Sequence, residues 1–134
     1  MPTENSALQT VLIAERDQNV RELQRVFLER AGFHVDFVDD GLAALERTQG
    51  ALPNVLVTEI LLPRLDGLTL CRRIREDPQL RDLPVIVLSI LSAATRAAEA
   101  GATAFLRKPI VESVFVAAVV GATVSEPTGT MDRL

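Results

Sequence analysis

Cysteine, histidine and large aromatic side chains are scarce in this sequence of 134 residues. It holds one cysteine, one histidine and neither tryptophan nor tyrosine. The single thiol, Cys71, cannot form a disulfide within the chain. It lies among apolar residues of a predicted helix, where a thiol usually packs and is inert. We therefore expect neither an internal disulfide nor a cysteine nucleophile.

Positive charge is also limited, because 14 basic residues stand against 18 acidic ones and the net charge is −4. Proteins that bind nucleic acids present a basic face, often with stacking rings. The arginines at 72, 73 and 75 are interpreted instead as the exposed face of a helix. Composition thus argues against nucleic-acid binding by this domain.

Long apolar runs are absent as well. The longest, residues 114–122, is far shorter than the roughly 20 residues that a membrane-spanning helix needs. Residues 1–8 have neither the basic start nor the apolar run of a signal peptide. These features predict a cytoplasmic protein without a membrane partner.

What the sequence does contain is a regular alternation of two patterns. With 48% hydrophobic and 24% charged residues, the chain fits one globular domain. Five short β-prone runs alternate with helical segments, which predicts an α/β fold with a parallel sheet covered on both faces. The predicted strands are residues 11–14, 33–37, 55–58, 85–88 and 104–106. The predicted helices follow Asp17, Asp40 and Asp66-Gly67 and span residues 93–100 and 111–122.

Two of the predicted helices carry apolar stripes. In the first helix the predicted core face is Val20, Leu23, Phe27 and Ala31. In the last helix it is Val111, Val114, Phe115, Ala118 and Ala122. A second apolar line on that helix, Val116 and Val120, suggests a partner surface. The alternatives are that the tail from Thr123 folds over it, or that single exposed valines carry no function.

The ends of the predicted strands are where chemistry is expected. Parallel strands joined by right-handed crossovers bring their carboxyl ends to one edge, where α/β folds build their sites. Glu59 falls at the end of the third strand, and a carboxylate there needs a partner because leaving it unpaired costs several kcal/mol, roughly. Its candidate neighbours at the same edge are Glu15, Arg16, Ser89 and Lys108.

Four separated motifs in the right order resemble the receiver domain of two-component response regulators. They are residues 62–68 (LPRLDGL), 83–89 (LPVIVLS), 100–102 (AGA) and 105–109 (FLRKP). The resemblance covers residues 10–122. It leaves residues 1–9 as an expected flexible N-terminus and residues 123–134 as a tail or linker.

The resemblance implies a fold, a reaction and a set of residues. The fold is a flavodoxin-like (βα)5 sandwich with strand order 2-1-3-4-5. The reaction is phosphoryl transfer from a partner histidine kinase onto an aspartate, assisted by Mg²⁺ that this aspartate and an acidic pair hold. By the same resemblance, Ser89 and Lys108, which precedes Pro109, bind phosphoryl oxygens, and Phe105 is the aromatic switch.

The sequence departs from the family at two site positions. Glu59 stands at the phosphoacceptor position, and Arg16 follows Glu15 where the second acid of the pair is usual. Two carboxylates then face two cations, so a divalent ion beside Arg16 would meet a repulsion of about 8 kcal/mol at 4 Å and an effective dielectric of about 20. We expect Mg²⁺ to bind weakly or not at all, and Glu59 to be held by Arg16 and Lys108. The alternative is that Arg16 points to solvent.

A further departure is the spacing from Ser89 to Lys108, about three residues shorter than the family pattern. We expect a pseudo-receiver of bacterial signalling that is phosphorylation-independent, is not an enzyme, and binds a signalling protein or effector. A homodimer through the fourth helix, fifth strand and last helix is a possible form. The alternatives are a conventional Mg²⁺-dependent receiver that uses Glu59, and a flavodoxin-like small-ligand binder, which the lack of a glycine-rich loop after the first strand disfavours.

Overall fold

The computed structural model describes residues 8–124. The predictions for residues 1–7 and for the tail from 125 to 134 lie outside the described residues. The strands are β1 (Thr10–Ala14), β2 (His34–Val38), β3 (Val55–Thr58), β4 (Val85–Ser89) and β5 (Ala104–Arg107). The helices are α1 (Gln18–Arg30), α2 (Gly41–Gly50), α3 (Gly67–Glu76), α4 (Ala94–Glu99) and α5 (Glu112–Thr123). None of the helices within residues 8–124 is long and apolar enough to cross a bilayer.

The five strands form one parallel sheet in the order β2-β1-β3-β4-β5, which confirms the predicted fold. The central strands β1, β3 and β4 are apolar on both faces because helices cover the sheet on both sides. Alternate residues of one strand therefore enter different cores. Leu12 belongs to one cluster, and Val11 and Ile13 belong to the other.

Aspartate side chains fix where three of the helices begin. Asp17, Asp40 and Asp66 each accept hydrogen bonds from backbone N–H groups of the first turn of α1, α2 and α3. Burial raises the pKa of Asp66, but hydrogen bonds from the N–H and hydroxyl of Thr69 outweigh it, so the net shift is downward. These caps set the geometry of the loops at the carboxyl edge of the sheet.

The predicted core faces of α1 and α5 are partly wrong. In α1 the buried side chains are Gln24 and Leu28, while Leu23 is 43% exposed. In α5 Phe115 and Val119 are buried, and the predicted core residues Val111 and Val114 are exposed instead. The cause is that packing against the sheet selects one face of each helix, and in α1 that face includes a glutamine.

Arg75 is another residue whose predicted exposure is wrong. Its Nε donates to the carbonyl of Gly101 at 2.8 Å and its Nη1 donates to the carbonyl of Leu83 at 2.6 Å. A Cβ atom at Gly101, where φ is +98°, would lie 2.7 Å from Cγ of Arg75. Arg75 thus connects the end of α3 to the loops that lead into β4 and β5.

Candidate functional site

The carboxyl edge of the sheet holds a buried ion cluster made of three side chains from three strand ends. Nζ of Lys108 lies 2.8 Å from Oε2 of Glu59 and 3.0 Å from Oε1 of Glu15. Both glutamates are buried, with 3% of Glu15 and 7% of Glu59 exposed. The parallel topology brings them together because Glu15 follows β1, Glu59 follows β3 and Lys108 follows β5.

The Glu59 carboxylate is held at both of its oxygens. Oε2 accepts from Lys108, while Oε1 accepts from the backbone N–H of Ile60 at 2.5 Å and of Leu61 at 3.4 Å. Behind it, a Cβ atom at Gly67 would lie 2.1 Å from the carbonyl oxygen of Glu59. Only glycine therefore lets the start of α3 approach the Glu59 backbone this closely.

Glu15 is anchored by the turn that leads into α1. Its Oε2 accepts from the backbone N–H of Asp17 at 3.1 Å, and its carbonyl accepts from Nε of Arg21 at 2.6 Å. The side chain is thus fixed on the side opposite to Lys108. Of the two carboxylate oxygens of Glu15, Oε2 therefore binds the turn and Oε1 contacts the ammonium of Lys108.

Lys108 is ordered through its backbone as well as its side chain. Its N–H donates to the carbonyl of Ser89 at 3.0 Å, and its peptide bond to Pro109 is cis. Burial alone would lower the pKa of Lys108, but the hydrogen bonds and negative charges of Glu59 and Glu15 outweigh it and raise the pKa above its usual range. The ammonium therefore stays charged at neutral pH.

Arg16 does not take the predicted place beside Glu59. It is exposed, and within residues 8–124 it forms no hydrogen bond or ion pair with that carboxylate. The expected pairing is wrong, and the alternative of a solvent-facing Arg16 describes the structure. Glu15 turns into the site, where its Oε2 accepts from the backbone N–H of Asp17, and the next side chain along the chain, Arg16, is left at the surface. The charges in direct contact are two carboxylates and one ammonium.

Ser89 ends β4 and Phe105 lies within β5, and among residues 8–124 neither side chain forms a hydrogen bond with the carboxylates of the cluster. The Ser89 hydroxyl is buried and accepts from the N–H of Leu91 at 3.3 Å. Phe105 is half-buried, packs against the core and lines a cleft beside α4. The predicted place of Ser89 at the carboxyl end of β4 agrees with the structure, but its hydrogen-bond partner depends on the loop after β4.

Residues 11–120 match the family of response regulator receiver domains. This chain belongs to the response regulator receiver family. The match covers β1 except its first residue, the other four strands and most of α5, so the described fold and the family assignment concern the same part of the chain.

The relatives of this receiver are response regulators. The transcriptional regulatory protein CseB of Streptomyces coelicolor is 38% identical over 112 residues, 81% of this chain and 47% of CseB. The response regulator MprA of Mycobacterium ulcerans is 37% identical over 102 residues, 74% of this chain and 43% of MprA. The chain therefore spans less than half the length of these curated relatives.

Solved structures agree with this assignment. A response regulator from Chloroflexus aurantiacus superposes with a TM-score of 0.84 at 34% identity and covers 88% of this chain and 99% of its own. The receiver domain of a histidine kinase from Syntrophus aciditrophicus gives a TM-score of 0.81 at 30% identity, over 89% and 96% of the two chains.

The receiver site presents two carboxylates, those of Glu15 and Glu59, as oxygen ligands of the kind that Mg²⁺ prefers. Residues 8–124 contain no group of three or more histidine, cysteine, aspartate or glutamate side chains placed to hold a metal ion. The two carboxylates that are present both contact Lys108. The position that supplies the second acid in the family is the exposed Arg16.

The second apolar line of α5 borders a groove of about 750 Å³ between this helix and α1. Val116 is half-buried there and Val120 is 41% exposed. An ion pair crosses the groove, with Nε of Arg30 3.2 Å from Oε2 of Glu112. Sequence reasoning missed this pair because its partners are 82 residues apart.

Proposed function

We propose that this receiver works without phosphorylation, as a protein-interaction module of two-component signalling. The observation that carries the proposal is the bridge of Lys108 between Glu59 and Glu15. In the family, the lysine and the acidic residues act on a phosphoryl group and its metal ion. Here the same groups contact one another directly.

The charge balance supports weak metal binding. With Arg16 exposed, the groups in contact carry a net charge of −1, one less negative than a site with three carboxylates and a lysine. A divalent ion 4 Å from the ammonium would meet a repulsion of about 8 kcal/mol at an effective dielectric of about 20, and this site has one carboxylate fewer than the family pattern to offset it. Without the ion, phosphoryl transfer loses the charge stabilisation on which it depends.

The hydrogen bonds of Glu59 also disfavour its use as a nucleophile. Oε2 is held by Lys108, and Oε1 is held by the amides of Ile60 and Leu61. An acyl phosphate on either oxygen would break one of these contacts. Glutamate is one methylene longer than aspartate, so its carboxylate reaches toward the region of the family's phosphoryl group. The receiver is thus held in one state by its own side chains.

The output of such a module is a protein contact. The relatives are regulators of roughly twice this length, which favours an effector domain or a signalling protein as the partner. The surface of α4, β5 and α5 is the candidate, and a homodimer through it is one form of the contact. Exposed apolar residues on α5, such as Val114 and Val120, support this choice.

The test is a titration with Mg²⁺ and beryllofluoride, followed by the amide resonances of Glu59, Ser89 and Phe105. We expect no saturable shift at up to about 10 mM Mg²⁺. A Kd of that size corresponds to a binding free energy of only about −3 kcal/mol. The control is the double variant Arg16→Asp/Glu59→Asp, which restores the family's residues. Saturable shifts in the control but not in the unaltered protein are expected.

The runner-up function is conventional phosphorylation on Glu59. It is favoured by the convergence of Glu59, Ser89 and Lys108 at one edge, as the family requires. Incubation with acetyl phosphate and Mg²⁺ followed by intact mass measurement separates the two functions. A stoichiometric phosphoryl adduct on the unaltered protein, lost in Glu59→Gln, would overturn phosphorylation independence.

A further inference from the structure

A second site lies beside the ion cluster, in a cleft of about 390 Å³ between α4 and β5. Its volume falls within the range of small-molecule pockets, roughly 300–1,000 Å³. The cleft has no acidic residue in its lining, which includes Ser92, Thr95, Arg96, Phe105 and Arg107. Ser92 precedes α4, Thr95 and Arg96 lie on α4, and Phe105 and Arg107 lie on β5.

Two guanidinium groups give this cleft a positive character. Arg96 and Arg107 are both exposed, and neither forms an ion pair with a carboxylate in the part of the chain from 8 to 124. Even Glu99, one turn after Arg96 on α4, is not paired with it. Two cations near one cavity repel each other unless an anion lies between them.

One of the guanidinium groups is held in position. Nη1 of Arg107 donates to Oγ of Ser92 at 2.6 Å, and the residue is paired with Ser89 in the β4–β5 register. A planar guanidinium fixed on one side still presents further N–H donors, in the fork that suits a phosphate or carboxylate. The hydroxyl of Thr95 lines the same cleft and adds a further donor.

The rest of the lining is apolar. The half-buried Phe105 and the side chains of Ala93 and Ala94 form this part of the cleft. A hydrated inorganic anion without an apolar part would gain nothing from these apolar groups. An aromatic or aliphatic body joined to an anionic head would bury apolar surface there while its head meets the two arginines.

We propose that the cleft between α4 and β5 binds a small amphipathic anion, with its phosphate, sulfonate or carboxylate head between Arg96 and Arg107 and its apolar body against Phe105. The binding itself does not depend on the proposed function of the Glu59 site. Arg107 directly precedes Lys108, whose backbone N–H is bonded to Ser89. A bound anion would therefore act on the element that carries the lysine bridge, as a non-covalent input to this receiver.

Phenyl phosphate is the probe for this proposal, followed by amide NMR of the full chain. A fragment of this size is expected to bind with a Kd of a few mM, since about 0.3 kcal/mol per heavy atom is typical. Saturable shifts should appear at Ser92, Thr95 and Phe105. Inorganic phosphate and benzyl alcohol, which each carry half of the probe, should bind at least about fivefold more weakly.

Four variants make the test specific. Arg96→Gln and Arg107→Gln should each weaken phenyl phosphate binding about fivefold or more, because each removes one charged donor. Arg73→Gln, at an exposed arginine of α3 outside the cleft, should leave it unchanged. Arg107→Lys keeps the positive charge but removes the planar fork of the guanidinium, so it separates the two contributions. The amide spectrum of every variant reports whether it is folded.

Several results would overturn the proposal. One is the absence of saturable shifts at the cleft. Another is that Arg96→Gln and Arg107→Gln bind phenyl phosphate as tightly as the unaltered protein. A third is that Arg73→Gln weakens phenyl phosphate binding as much as they do. Binding of an acidic peptide without binding of phenyl phosphate would also overturn it, since the surface would then serve a protein partner.

Discussion

Replacement of Lys108 by methionine tests whether the lysine bridge holds this site together. Methionine is unbranched and of similar length, so the change removes the ammonium with little loss of packing. Glu59 and Glu15 would then remain buried without the cation that lies 2.8 Å and 3.0 Å from their oxygens. The perturbation therefore isolates charge from side-chain volume.

The expected loss follows from the geometry. Because both carboxylates contact the same nitrogen, their nearest oxygens lie at most about 6 Å apart, and two negative charges at that distance repel by about 3 kcal/mol at an effective dielectric of about 20. Removal of one partner from a buried ion pair costs about 3–5 kcal/mol. We expect Lys108→Met to lower the free energy of unfolding by that amount at neutral pH.

Urea unfolding followed by far-ultraviolet circular dichroism is the assay, since the chain has no tryptophan for fluorescence. Adding Glu59→Gln to Lys108→Met should restore more than half of the loss. Arg73→Met, at an exposed position on α3, is the matched control and should change stability by less than about 0.5 kcal/mol.

Two results would refute this reasoning. One is a loss below about 1 kcal/mol for Lys108→Met, which is the range of exposed ion pairs. The other is a loss that the added Glu59→Gln does not relieve, which would assign it to packing and not to charge.

Three further predictions concern other parts of the chain. Gln24→Leu should stabilise the protein by about 1–3 kcal/mol, measured by urea unfolding, because both polar atoms of this buried amide lack a hydrogen-bond partner within residues 8–124. No gain would show that the amide is satisfied in solution. Gly67→Ala should destabilise by about 2 kcal/mol or more and shift the Glu59 amide resonance, since the added Cβ would meet the Glu59 carbonyl; an unchanged spectrum would contradict the close approach. The pKa of Lys108 is raised in the folded protein, so this group contributes stability that is fully present below its pKa of 10.5 in the unfolded chain and is lost as pH rises through the folded pKa. The free energy of unfolding should therefore fall more steeply above about pH 10.5 in the unaltered protein than in Lys108→Met.

The sequence by itself determined the order of the elements and the edge at which the site lies. Local signals were enough for this, because short apolar runs mark the strands. Asp17 and Asp66 mark helix starts, and each accepts hydrogen bonds from residues no more than three positions ahead of it. Since parallel strands place their carboxyl ends together, the meeting of Glu15, Glu59 and Lys108 followed from their positions after β1, β3 and β5.

The tertiary structure decided which side chains touch. Arg16 and Glu15 are neighbours in sequence, yet Glu15 enters the site and Arg16 faces solvent. Gln24 and not Leu23 faces the core of α1. These directions depend on helix packing, loop paths and partners up to 93 positions away, as in the contact of Lys108 with Glu15. No pattern of neighbouring residues encodes such contacts, because they form only when the whole sheet has brought distant segments together.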